Sequence, residues 1–219
     1  MIIVIEGTDG SGKQTQAKLL LDYFKENGRE VKEQSFPNYD SESSILVKKY
    51  LNGDFGGLND LDAKQSSVLF SVDRLCTMQK YKDFLKKRGI LLLDRYVSSN
   101  ILHQASKIDD EKEREEFVSW LENFEYNDLK LPYPDVTIFL DMRPDLSNKL
   151  RLERGELKAG TKKDIHESNL EYMKKCYDVG VSIAHKKSWQ IVKCYEGNRI
   201  KTIEEIHNEI ISVLKKLKY

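Results

Sequence analysis

An α/β fold, a parallel sheet of five strands covered by helices on both faces, is what this sequence predicts. Three observations carry it. Five apolar runs recur along the 219 residues, helical stretches separate them, and a glycine-rich turn joins the first run to the first helix. Alternating strands and helices imply right-handed crossovers between parallel neighbours, with ligands gathered at the carboxyl ends of the strands.

The first run, Met1-Ile2-Ile3-Val4-Ile5-Glu6, is β-branched and reads as a buried strand. Gly7-Thr8-Asp9-Gly10-Ser11-Gly12-Lys13-Gln14-Thr15 follows, then a helix over 13–28 with Ala17, Leu19, Leu20, Leu21, Tyr23 and Phe24 on its apolar side. The glycines let successive backbone N–H groups turn inward around a polyphosphate, Lys13 adds a cation, and the helix points its positive end at the same oxygens. This constellation predicts binding of a nucleoside triphosphate. Most such loops follow the lysine with Ser or Thr, whose hydroxyl holds Mg²⁺. Here Gln14 takes that place and the hydroxyl arrives at Thr15, so Mg²⁺ is expected to be held mainly by water and phosphate oxygens.

A weaker run over 30–36 closes on Phe36-Pro37-Asn38-Tyr39. Helices are expected near 43–51 and 60–87, the latter containing Leu69-Phe70-Ser71-Val72-Asp73-Arg74-Leu75. Phe70 and Arg74 lie four apart and share a helical face, an arrangement suited to a flat base beside a phosphate. The alternative, in which Phe70 is core and Arg74 pairs with Asp73 or an adjacent acid, stays open on periodicity alone. The third run, Gly89 to Asp94, ends in Asp94-Arg95-Tyr96-Val97-Ser98-Ser99-Asn100-Ile101-Leu102-His103-Gln104. A carboxylate at a strand end can reach Mg²⁺ or its waters, and an adjacent arginine can hold a phosphate bidentately. A helical stretch over 97–126 is expected to break near Asp109-Asp110. Val136 to Asp141 and Trp189 to Cys194 are the fourth and fifth runs, with helices near 144–154, 164–187 and 201–217.

Composition excludes other classes. Lys+Arg and Asp+Glu both total 36, which argues against a nucleic-acid binder that relies on phosphate neutralisation. Cys76, Cys176 and Cys194 are widely spaced without a CxxC pair, as free thiols in a reducing cytoplasm would be. No run of 18 apolar residues or secretory leader is visible, so no membrane association is expected. Nothing divides the chain, and residues 1–219 read as one domain.

The loop ending Gly-Lys-Gln-Thr-Gln, Phe-Pro before a tyrosine, Leu-Phe-Ser-Val-Asp-Arg, and Leu-Asp-Arg-Tyr followed by Ser99 and Asn100 together resemble thymidylate kinase, in order and spacing, over essentially the whole chain. The resemblance implies the five-stranded P-loop nucleotide-kinase fold, transfer of the ATP γ-phosphoryl group to dTMP giving dTDP and ADP for dTTP synthesis, Mg²⁺, and commonly a homodimer. By the same resemblance, Gly7 to Thr15 with Lys13 bind ATP, and Asp9 sits near the acceptor sugar, its phosphates and the metal. Pro37 and Tyr39 flank the acceptor phosphate, and Phe70 stacks on thymine. Arg74 contacts the base, Arg95 bridges donor and acceptor phosphates, and Asp94 lies beside the metal. Ser99, Asn100 and Gln104 surround the base, and His103 stands where the family often carries Tyr or Phe near the deoxyribose.

Residues 151–167 combine Gly155 and Gly160 with many cations, the pattern of a lid that closes on polyphosphate. Positions 8–11 contain no arginine, so the lid is the expected source of a catalytic one, Arg154 first and then Arg151, as in the bacterial class of thymidylate kinases. Asp164 and Glu167 resemble lid acids. Asp54-Phe55-Gly56-Gly57 and Thr161-Lys162-Lys163-Asp164 imitate GTPase motifs, but neither follows an apolar strand. A nucleoside kinase would need a base for its acceptor hydroxyl, whereas Arg74 and Arg95 favour a monophosphate acceptor.

Overall fold

The structure, a computed structural model, describes residues 1–153 and 170–217. Strands β1 (Ile2–Glu6), β2 (Val31–Ser35), β3 (Ile90–Asp94), β4 (Val136–Asp141) and β5 (Gln190–Lys193) form one sheet in the order β2-β3-β1-β4-β5. Every neighbouring pair is parallel, as expected. β1 and β4 are buried throughout, whereas β2, at an edge, alternates between half-buried and exposed positions. That is why 30–36 reads as the weakest run.

Helices α1 (Lys13–Glu26), α2 (Ile45–Asn52), α3 (Ala63–Met78), α4 (Lys82–Lys86), α5 (Val97–Ala105), α6 (Glu111–Glu122), α7 (Pro144–Glu153), α8 (Leu170–Lys186) and α9 (Ile203–Lys216) flank the sheet. The two-residue period of a strand sorts the central side chains between two cores. Ile2, Val4, Leu91 and Leu93 pack with α5, α6 and α8, while Ile3, Ile5, Ile90 and Leu92 pack with α1 and α9. No helix among the described residues is long and apolar enough to cross a membrane.

The expected helix over 60–87 is not continuous. It starts at Ala63, where Asp62 and Gln65 form a capping box, and ends at Met78. A tight turn, Gln79–Tyr81, then lets the Tyr81 hydroxyl donate to Gln34 Oε1 at 2.9 Å before α4 begins. The break near Asp109-Asp110 is present, with Asp110 capping α6 through the Glu113 N–H at 2.9 Å. A π-helical turn, Asn123–Asp128, extends α6. A short hairpin, β6 (Tyr195–Glu196) and β7 (Arg199–Ile200), was not expected, because two-residue strands leave no periodic signal. Of the expected lid, only Arg151 to Glu153 is described. Arg154, Gly155, Gly160, Asp164 and Glu167 lie outside the described residues.

Candidate active site

Sheet order builds the site. β1 lies between β3 and β4, and Ile5 is in register with Asp94, so the loop leaving β1 emerges beside Asp94 and Arg95. Gly7 has φ +152°, and a Cβ there would lie 2.7 Å from Ser11 Oγ and 3.0 Å from the Leu140 carbonyl. Gly10 has φ +76° and runs under α7, where a Cβ would lie 3.1 Å from Arg151 Cδ. Only glycine suits either position. Gly12 caps α1 with no side-chain hydrogen bond, and no acid occupies the first turn. The first N–H groups of α1 therefore keep their donor capacity for an anion. Lys13 is buried and donates to the Thr8 carbonyl at 2.9 Å. Burial and the nearby Arg95 charge, partly offset by Asp9, pull its ammonium down to about 8.

Glu6, fully buried at the end of β1, receives the Gly7 N–H at 2.9 Å, the Ser98 hydroxyl at 2.6 Å and the Ser99 hydroxyl at 2.9 Å. These bonds pin the first turn of α5 to β1 and aim Arg95 back over the phosphate loop. Arg95 itself has φ +67°, a left-handed conformation that costs a non-glycine residue about 1–3 kcal/mol and tends to occur at functional sites. Its guanidinium pairs with Asp9 and reaches Ser99 Oγ at 3.2 Å and His103 Nε2 at 3.3 Å. Burial opposes its charge, but Asp9, Glu6 and Asp94 outweigh that and keep it ionised. Burial would likewise raise the Asp9 carboxyl, yet Arg95, with Lys13, His103 and Arg151, holds it well below the usual carboxylate range. Burial, reinforced by Arg95, brings the His103 imidazole down to about 4. It is neutral at pH 7, so Nε2 accepts from Arg95 and Nδ1–H faces Cys176 Sγ at 3.6 Å.

Next to Arg95 opens a cavity of about 190 Å³ lined by Asp9, Pro37, Tyr39, Phe70, Arg74, Arg95, Ser99, Asn100, His103 and Gln104. The structure thus brings together every residue assigned from sequence to the acceptor. Phe36, Leu51 and Tyr96 complete the wall and had not been singled out as contacts. α5 is buried along its whole length, and its i, i+4 pairs Ser99/His103 and Asn100/Gln104 face the opening.

Sequence reasoning missed the partner of Arg74. It is neither Asp73 nor a local acid but Glu125, in the π-helical turn, paired bidentately with Arg74 and fully buried. Asp73 turns away to receive the Asn38 N–H at 2.8 Å and the Ser43 hydroxyl at 2.6 Å, holding the Pro37–Tyr39 segment. Glu125 also accepts from Ser71 Oγ at 2.9 Å and Asn100 Nδ2 at 3.2 Å. The Asn100 amide is thereby oriented: Nδ2 faces the carboxylate, and Oδ1 is buried in the cavity wall without a partner among the described residues. Gln104 Nε2 is similarly buried and without a partner among the described residues, with Oε1 2.7 Å from Ser66 Oγ. A buried cation such as Arg74 demands a counter-charge, but no spacing in the sequence selects Glu125 among the acids of 111–128.

Gln14 is exposed, and Thr8 Oγ1, Ser11 Oγ and Asp94 Oδ1 are buried without partners among the described residues. Arg151 lines a recess with Thr8, Asp9, Ser147 and Asn148. Near the carboxyl end of β4, Arg143 lies 5.3 Å from the Tyr195 ring centroid and donates to the Gly197 carbonyl at 3.2 Å. It thereby braces the β6–β7 hairpin.

A family model described as thymidylate kinase matches residues 5–210. The chain is 31% identical to the thymidylate kinase of Plasmodium falciparum over 216 residues, 99% of this chain and 90% of that protein. It is also 31% identical to a probable thymidylate kinase of Methanocaldococcus jannaschii over 217 residues, covering 99% and 97% of the two chains. Among solved structures it resembles the thymidylate kinase of Candida albicans, with a TM-score of 0.72, 26% identity, and coverage of 99% of this chain and 92% of that one.

Proposed function

The chain belongs to the thymidylate kinase family and phosphorylates dTMP to dTDP with ATP as donor, and we propose that it does so between the β1 loop and the cavity beside Arg95. The observation that carries this assignment is Asn100 Oδ1, a buried acceptor held in place by Glu125 and Ser67. It matches the N3–H of thymine or uracil. Cytosine presents a lone pair at N3, and two buried acceptors face to face leave both unsatisfied, at a cost of about 1–3 kcal/mol. Phe70 stacks on the ring, Gln104 Nε2 donates to a ring carbonyl, and Arg95 and Tyr39 take the phosphate.

The acceptor phosphate is already ionised, so no general base is needed. Catalysis is positioning plus cations aimed at the charge on the transferring group. Lys13 and the first N–H groups of α1 hold the donor phosphates. Arg95, fixed by Asp9, spans the two substrates. The residues present fit Mg²⁺, which when bound supplies charge neutralisation on the phosphates. Asp94 Oδ1 lacks a partner, and no cluster of three or more His, Cys, Asp or Glu side chains among the described residues offers an all-protein cage. Mg²⁺ commonly keeps waters and substrate phosphates beside one or two carboxylates. Asp94 would hold it through water, with Asp9 nearby.

We assign the lid cation to the stretch 151–167 of a single domain. The aliphatic stem of Arg151 against Gly10 supports a role for Arg151. Arg151→Ala is expected to lower kcat about 10²-fold with little change in the dTMP KM. An unchanged kcat, with the loss appearing in Arg154→Ala instead, would assign the role to Arg154. A cytoplasmic homodimer is the accompanying proposal, supported by exposed apolar side chains on α2 (Ile45, Leu46) and α3 (Val68, Val72).

The test is ADP release with Mg-ATP and dTMP, dUMP, UMP, CMP, AMP or GMP, with thymidine as nucleoside control. Turnover of dTMP and weaker turnover of dUMP, with CMP inert, is the expected pattern. CMP turnover comparable to dTMP would overturn the Asn100 assignment.

A further inference from the structure

Outside the residues that line the cavity, a half-buried cation is linked to two of them through intermediate partners. Lys107 follows the last turn of α5, and its Nζ donates to Tyr50 Oη at 3.0 Å, the Leu61 carbonyl at 2.9 Å and Ser66 Oγ at 3.1 Å. All three ammonium protons are engaged, and they join α2, the segment before α3, and α3 itself. Tyr50 is buried and meets the Phe70 ring edge-on, with centroids 5.9 Å apart at 87°. Leu51, the next residue, lines the cavity. Ser66 Oγ lies 2.7 Å from Gln104 Oε1. The aromatic wall and an amide of the proposed base site are therefore both linked to one ammonium that lies outside the cavity lining.

We propose that Lys107 is a positioning residue for the acceptor base, setting Phe70 through Tyr50 and Gln104 through Ser66. The assignment rests on the dTMP reading of that cavity. Removing the ammonium takes its donor from the Leu61 carbonyl and one hydrogen bond from the Tyr50 hydroxyl, and so loosens the ring that supports Phe70 edge-on. A neutral amine loses the charge that strengthens all three hydrogen bonds, so deprotonation weakens the same framework. Burial, opposed by Asp62, brings this ammonium to about 8. The titratable groups facing it are the Tyr50 phenol from α2 and Asp62 at the head of α3. Its charge is present below that value and lost above it, so base affinity should fall as pH rises through about 8.

Thymidine is the probe, because it has no phosphate and so is insensitive to Lys13, which titrates in the same range. Calorimetric titration of the full-length enzyme should give a thymidine Kd about tenfold weaker in Lys107→Met, with ATP affinity unchanged and Lys107→Arg close to wild type. Wild-type thymidine affinity should weaken from pH 7 to 9, whereas Lys107→Arg, charged throughout, should stay flat. A thymidine Kd within twofold of wild type in Lys107→Met, or equal losses of thymidine and ATP binding, would overturn the proposal. If Lys107→Met does not fold, a wild-type profile as flat as that of Lys107→Arg overturns it. Phe70→Ala separates the two readings. If it too leaves thymidine binding unchanged, the cavity assignment itself has failed; if it alone weakens binding, only the role of Lys107 has.

Discussion

Arg95→Ala is expected to reduce kcat by about 10²- to 10³-fold while leaving the protein folded. The guanidinium is held by Asp9, Ser99 and His103 where the phosphate loop, the end of β3 and the cavity proposed for the acceptor meet. In a loose phosphoryl-transfer transition state the charge is spread over the equatorial oxygens, so a fixed cation there lowers the barrier more than it strengthens ground-state binding. The carboxylate it leaves behind, Asp9, is partly exposed and can rehydrate, so thermal stability should change little. Arg95→Lys should recover only part of the rate, because an ammonium cannot reproduce the forked contacts to Asp9, Ser99 and His103. Steady-state kinetics with dTMP and ATP varied separately tests this. Turnover within about threefold of wild type in the alanine variant would remove Arg95 from the transition state.

Glu125→Ala should be the most destabilising single change near the site. Arg74 is 2% exposed and Glu125 0%, so truncating the acid leaves a buried guanidinium uncompensated, at a cost of about 3–5 kcal/mol. For a chain of this size that lowers Tm by ~10 °C. The same change removes the acceptor that orients Asn100, so the dTMP KM should rise in whatever folded enzyme remains, and the ATP KM should not. The double variant Arg74→Met/Glu125→Leu separates the two effects. It replaces the pair with apolar groups of similar size, which is often neutral for stability, so Tm should recover while the dTMP KM stays high. Thermal unfolding followed by kinetics of the three proteins checks this. A single-variant loss below about 1 kcal/mol would show that the site relaxes or hydrates, contrary to the burial seen for Arg74.

Much of this was legible because the informative residues cluster at strand ends. Val4 and Leu92 declare strands by burial on both faces, and the residues that follow them (Gly7 to Thr15, Asp94 to Gln104) fall automatically at the carboxyl edge of a parallel sheet. Phe70 and Arg74 were readable as one helical face because i, i+4 geometry is local. The helix break after Met78 was not, because it answers to a contact between Tyr81 and Gln34 on a distant strand. The β6–β7 hairpin was not, because its strands are too short to carry a period.

The sequence by itself determined the sheet, the phosphate loop and most of the side chains that line the cavity beside Arg95. Each of these depends on residues close together in the chain or on a periodicity they share. Only the tertiary structure decided what holds those side chains. Glu6 for Ser98 and Ser99, Glu125 for Arg74 and Asn100, and Lys107 for Tyr50 and Ser66 are partnerships across 93, 51 and 57 residues at their widest. The physical reason is that a buried charge must be matched by whatever polar group the fold brings to it. Sequence spacing records which charges exist, and packing selects their partners.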